Sequence, residues 1–116
     1  MANLEPLLGL PGALAAFEAG GNGDLLDHRI NDGSTLSAEI LGLVAHMCSA
    51  NMSIATMQTR GWEMMSDMDG FDPASQFTLI GFDCSVTVAT RGDRLVGVVT
   101  DNETQDLDML SKAVSE

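Results

Sequence analysis

Methionine, histidine and cysteine side chains are concentrated in one part of the sequence, residues 46–68. Thioether, thiol and imidazole groups are ligands of the kind that select Cu(I). His46 and Cys48 are only two positions apart, however, and side chains at that spacing diverge on a helix. The methionines recur at helical spacing, which favours packing, or an adaptable partner surface, over a metal site. Six of the eight methionines lie here: Met47, Met52, Met57, Met64, Met65 and Met68.

The remaining reactive side chains do not form a catalytic pattern. His28 and His46 have no nucleophile nearby in the sequence, so we interpret both as solvated or locally hydrogen-bonded. Cys48 and Cys84 are interpreted as small core residues, because a catalytic thiol needs an electropositive environment that this acidic chain hardly offers. Trp62 is expected to pack at the end of a long helix rather than to anchor a partner. We therefore predict no catalytic residue, no cofactor and no metal site.

The composition indicates one folded, acidic domain over residues 1–116. Hydrophobic residues make up 45% of the chain, and 17 acids against 5 bases give a net charge of −12. So few bases cannot neutralise many phosphates, which excludes non-specific nucleic-acid binding and docking on anionic lipid. No apolar run approaches the roughly 18 residues of a membrane span, and no signal peptide is recognisable. Two cysteines make no disulfide framework, so we expect a cytoplasmic protein.

Hydrophobic periodicity predicts the element order α-β-β-α-β-β-β-α. A short helix covers residues 4–9 and is followed by a hairpin of two strands, Ala13–Ala19 and Leu25–Ile30. The glycine-rich loop between these strands contains residues that accept a positive φ angle, as tight hairpins require. Hairpins imply an antiparallel sheet, and helices must cover its two faces.

The C-terminal third of the sequence changes to the period of two that is typical of strands. Phe77 and Leu79 lie in the first strand of this part, and Cys84, Val86 and Val88 lie in the second. A third strand, Leu95–Val99, is apolar on both faces and is expected in the middle of a covered sheet. A final helix over Glu103–Val114 is predicted to bury Leu107, Leu110 and Val114.

One long helix, about residues 35–68, carries two apolar stripes side by side. One stripe runs from Leu36 to Met68, and the second runs from Leu41 to Ala55. At 1.5 Å per residue the helix spans about 50 Å, which is more than a small sheet can cover. A second copy of the chain is the simplest candidate to cover the remaining stripe. The predicted dimer interface consists of Leu36, Ile40, Leu43, Met47, Ile54 and Met57.

The sequence resembles the dynein light-chain roadblock family, and more closely a small bacterial family of roadblock-like proteins of uncharacterised function. The matching parts are the opening Leu4–Gly12, the hairpin end Asn22–Asp27, the long helix and the ending of three strands and one helix. The resemblance implies a profilin-like α+β sandwich. Its five-stranded antiparallel sheet has the long central helix on one face and the terminal helices on the other.

The same resemblance implies a homodimer in which the central helices pack together and edge strands join the two sheets. Such proteins are non-catalytic platforms, in bacteria often for small Ras-like GTPases. The expected function is therefore that of a regulatory scaffold whose partners are a second copy and another protein. A protein partner of this acidic chain would present a basic face. The alternative is a small-ligand or metal-binding protein of the profilin-like fold.

Overall fold

The computed structural model describes residues 4–66 and 76–115, and it has the predicted order of helices and strands. The two predicted hairpin strands agree with the structure to within one residue. The elements are α1 (Glu5–Leu8), β1 (Ala13–Gly20), β2 (Leu25–Ile30), α2 (Ala38–Ser66), β3 (Gln76–Ile80), β4 (Cys84–Arg91), β5 (Arg94–Asp101) and α3 (Leu107–Ser115).

The five strands form one antiparallel sheet in the order β2-β1-β5-β4-β3. β5 is the central strand, as its two apolar faces predict, and its residues Leu95–Thr100 are all buried. It pairs with β1 on one side and with β4 on the other. The short strands β2 and β3 form the two edges. The first and last hairpins thus meet in the middle of the sheet through β1 and β5.

Helices cover both faces of the sheet. Phe17, Leu41 and Cys48 belong to the core between the sheet and α2. Leu7, Val98 and Leu110 belong to the core on the opposite face, beneath α1 and α3. This arrangement confirms the predicted α+β sandwich, in which the long helix lies on one face and the terminal helices lie on the other.

The β1–β2 turn holds α2 against the sheet. Gly23 has a φ angle of +93°, and a Cβ atom placed on it would lie 2.7 Å from Nδ1 of His46. Only glycine combines this backbone conformation with so close an approach. The hydroxyl of Ser49 also donates a 2.9 Å hydrogen bond to the carbonyl of Gly21. The turn therefore fixes the position of the middle of α2.

α2 and α3 both start later than the sequence predicts. α2 begins at Ala38 instead of residue 35, because the Ser37 hydroxyl accepts a hydrogen bond from the amide of Ile40 and caps the helix there. Its predicted end at residue 68 lies outside the described residues.

The prediction for the last helix was wrong at its first turn. α3 begins at Leu107 instead of Glu103, and the Asp106 carboxylate accepts a 3.1 Å hydrogen bond from the amide of Met109. Asp101 accepts a hydrogen bond from the amide of Glu103, so that the chain turns before the helix starts. Leu107 is consequently exposed instead of buried, whereas Leu110 and Val114 are buried as predicted.

Candidate functional site

The two apolar stripes of α2 have different environments. The stripe that contains Leu41, Cys48 and Met52 faces the sheet, and all three side chains are buried. The other stripe faces away from the sheet. Because both stripes are apolar, α2 presents an uncovered apolar face on the opposite side from the core.

The predicted interface residues lie on this outward face. Leu43 and Met57 are the most exposed of them, at 68% and 71%, and Ile40, Met47 and Ile54 are also exposed. Leu36 precedes the helix, is half-buried and packs against the core beneath α2. The six residues thus form a strip of surface that begins at the edge of the core and continues along the helix. We call this strip the α2 face.

The C-terminal part of α2 extends past the sheet. A helix of 29 residues is about 44 Å long, whereas a strand of 8 residues is about 27 Å long. Trp62 is 62% exposed, and Met64 and Met65 are more exposed still. The expectation that Trp62 packs within its own chain was therefore wrong, because the described part of the chain does not extend far enough to cover it.

An apolar groove runs beside the N-terminal half of α2. It has a volume of about 340 Å³ and lies between the helix and the edge formed by β3 and β4. Leu36, Ile40 and Met47 line it from the helix side, so that the groove is continuous with the α2 face. Ile80 and Cys84 line it from the sheet side.

The sheet edge next to this groove is also uncovered. Among the described strands, β3 pairs only with β4, so its outer side is an open edge. Ile80, at the end of β3, and Phe82, in the turn that follows, are both exposed, Phe82 almost completely. Open edges with exposed apolar residues are surfaces on which another chain can pair. The α2 face, the groove and this edge lie on adjoining parts of the molecule.

The groups that suggested Cu(I) are separated in the structure. Cys48 is fully buried in the core, and burial raises the pKa of its thiol to about 12. His46 is exposed on a different side of the helix, next to Gly23. Of the methionines near them, Met52 is buried, whereas Met47 faces outward. The described residues contain no group of three or more His, Cys, Asp and Glu side chains that could hold a metal ion.

A second, polar cleft lies on the other flank of α2. It has a volume of about 410 Å³ and is lined by Ser53, Thr56 and Arg60 of the helix and by the β4–β5 turn. The Ser53 and Thr56 hydroxyls donate to carbonyls of the preceding helical turn, at 3.2 and 2.9 Å. Asp93 lines the same cleft, so its charges are mixed. No local sequence pattern indicates this cleft, because its two sides come from distant segments.

A model of one protein family matches residues 3–116, almost the whole chain. The family is described as "Uncharacterized conserved protein (DUF2173)". The chain belongs to this family. A search of curated protein sequences finds no significant match.

Solved structures of roadblock proteins share the fold of this DUF2173 member. One, described as MglB with a tetrameric arrangement, is 17% identical with a TM-score of 0.78, and the match covers 97% of this chain and 79% of that one. The gliding protein MglB of Thermus thermophilus is 19% identical with a TM-score of 0.72, over 97% and 80% of the two chains. A Roadblock/LC7 domain of Streptomyces avermitilis is 14% identical with a TM-score of 0.70, over 92% and 80%. The roadblock-like fold implied by the sequence is thereby confirmed.

One property of α2 differs from the sequence-based expectation. By length and composition alone, Ala38–Ser66 is long and apolar enough to cross a membrane, and no other helix in the described part of the chain is. The sequence suggested no such segment because serine, threonine and glycine interrupt every apolar run. The core helix of a globular protein can meet the same criteria, but such a helix is mostly buried. α2 packs one stripe against the sheet and leaves most of its apolar segment exposed.

Proposed function

We propose that this protein is a non-catalytic homodimeric scaffold in which two copies pack through their α2 faces. The observation that carries the proposal is the outward stripe of α2, which is apolar over its whole length and uncovered. Contiguous apolar patches of this kind mark interaction sites on soluble proteins. A two-fold axis at the middle of the stripe would cover each copy's stripe with that of the other, so one surface serves both copies.

The charge distribution supports self-association through this face. The chain has 17 acids, yet none lies in the 23 residues from Ile40 to Trp62. Two molecules with a net charge of −12 repel each other, and the repulsion is smallest where acids are absent. The α2 face therefore combines the largest apolar exposure with the lowest density of like charge.

A further protein is proposed as the regulated partner, in the cytoplasm. The roadblock resemblance makes a small Ras-like GTPase the leading candidate. The acidic surface outside the α2 face suits a partner with a basic face, because complementary charge raises the rate of association. No nucleic acid and no membrane is proposed as a partner. The chain has only 5 bases for phosphates or anionic lipid, and α2 packs one of its stripes against the sheet.

The experiment compares two leucine substitutions by sedimentation velocity. Leu43→Glu puts a carboxylate on the α2 face of each copy, and Leu107→Glu puts the same group on an exposed leucine of α3. An unpaired charge in an apolar interface costs several kcal/mol, so Leu43→Glu should sediment as a monomer. Leu107→Glu should sediment as the wild-type dimer. A Leu43→Glu protein that remains dimeric would contradict the proposed interface.

The apolar groove supports a second candidate, a protein that binds a small ligand. Its volume of about 340 Å³ falls within the usual range of ligand pockets. This candidate predicts a bound species of defined mass in the purified protein, or a thermal shift on addition of a ligand. The scaffold predicts neither.

A further inference from the structure

We propose that Trp62 of one copy fills the apolar groove of the other copy in the dimer, and that this contact is made twice. The inference rests on the proposed dimer and specifies which residue anchors it. Three observations carry it: the groove is continuous with the α2 face, Trp62 lies beyond the sheet, and the helix geometry brings the two together.

The position along the helix comes from the two-fold symmetry. Within the described residues, the outward apolar stripe runs from Leu36 to Met64, so its midpoint is Ala50, whose small side chain permits close approach. Antiparallel packing about Ala50 places residue 62 of the second copy opposite residue 38. Leu36 and Ile40, which line the groove, are at this level of the helix.

The position of Trp62 around the helix axis also agrees with the proposed contact. Trp62 and Val44 are 18 residues apart, which is five full turns, so they lie on one line along α2. Val44 lines the groove. When a two-fold axis relates two antiparallel helices, the groove-side flank of one helix lies beside the groove-side flank of the other. Trp62 of the second copy therefore lies on the groove side and not on the side of the polar cleft.

Trp62 cannot reach the groove of its own chain. It follows Ile40 by 22 residues, which corresponds to about 33 Å along the helix. The groove is apolar and large enough for an indole ring, and tryptophan is one of the residue types enriched at interface hot spots. Burial of the ring would remove from water the single aromatic side chain of α2, which is 62% exposed.

The test uses Cys84, which lines the groove and is accessible enough to react in a monomer. The rate of its alkylation by N-ethylmaleimide is followed by mass spectrometry, with native mass spectra of the same samples. Cys48 is fully buried and should remain unlabelled. In the wild-type dimer Cys84 should react about tenfold more slowly than in monomeric Leu43→Glu.

Two substitutions test whether Trp62 is the side chain that protects Cys84. Trp62→Ala should make Cys84 in the dimer react nearly as fast as in the monomer. Met64→Ala, which removes an exposed side chain on the other flank of α2, should leave it protected. A Trp62→Ala dimer with protected Cys84, or Met64→Ala with the same gain in rate, would overturn the inference.

The outcomes separate this inference from the proposed function. A monomeric wild type would contradict both the proposed dimer and the Trp62 contact. A wild-type dimer with unprotected Cys84 would contradict only the Trp62 contact. If the Trp62→Ala variant is a monomer, tryptophan fluorescence of the wild-type protein tests the contact instead, since Trp62 is the single tryptophan. Its emission should be blue-shifted in the dimer relative to Leu43→Glu and should shift to the red when Cys84 is labelled. Emission that labelling does not change would also overturn the inference.

Discussion

The packing of Phe17 against Gly97 supports the position of α2, and the substitution Gly97→Ala tests it. The two residues face each other on β1 and β5, and Phe17 is fully buried in the core beneath α2. A Cβ atom on Gly97 would lie 2.6 Å from Cε1 of Phe17, which is closer than real Cβ contacts. The ring must therefore move toward Leu41 and Cys48, which belong to the same core.

The size of the effect follows from two opposing contributions. Overpacking of a core costs about 1–3 kcal/mol. Replacing glycine where the backbone is unstrained recovers about 0.4–1 kcal/mol through the unfolded state. Gly97→Ala should thus lower the free energy of unfolding by about 1–2 kcal/mol, and the melting temperature by roughly 4 °C for each kcal/mol.

The assay is urea unfolding at a fixed protein concentration, because unfolding of a dimer depends on concentration. Gly42→Ala is the control, since an added Cβ there meets nothing within 4 Å and the helix should gain up to about 1 kcal/mol. Phe17→Leu should relieve the clash, so that the double variant is more stable than the sum of the two single effects predicts. Wild-type stability of Gly97→Ala, or strict additivity in the double variant, would refute the reasoning.

Two further predictions concern the C-terminal helix and the buried thiol. Arg91 donates hydrogen bonds to the carbonyls of Val114 and Ala113, at 3.0 and 3.1 Å. Arg91→Gln should therefore lower the free energy of unfolding in urea by about 1–2 kcal/mol. An unchanged free energy would mean that these contacts do not hold α3. Burial raises the pKa of the Cys48 thiol from 9.0 to about 12, so the unfolded chain loses this proton first and stability should fall as the pH rises from 9 toward 12. The Cys48→Ala variant should lose less stability than the wild type over this pH range. Identical pH profiles of the unfolding free energy in the two proteins would contradict the assignment of this loss to Cys48.

The sheet could be predicted from the sequence because its signals are local. β5 is apolar on both faces and is central, and the glycine-rich loop before Leu25 forms the turn of the first hairpin. The start of α3 could not be predicted in the same way. Glu103 and Asp106 are as compatible with a first helical turn as with the turn that the structure contains. Hydrogen bonds to the carboxylates of Asp101 and Asp106 decide between them.

The candidate site could be predicted only in part. Helical spacing identified two apolar stripes, but both are equally apolar, and the fold decides which of them covers the sheet. The groove beside α2 combines Ile40 with Ile80, which are 40 positions apart, so no local pattern indicates it. The sequence predicts that Trp62 packs at the end of the long helix, but it does not show where the sheet beneath that helix ends. The length of α2 relative to the sheet explains the exposure of Trp62.

The mass of the untagged wild-type protein at low micromolar concentration, measured under native conditions, tests the central claim most directly. Two copies joined through the α2 face predict a species of twice 12.2 kDa with no additional mass. A monomer at 12.2 kDa would contradict the account, because the apolar face of α2 would then have no second copy to cover it.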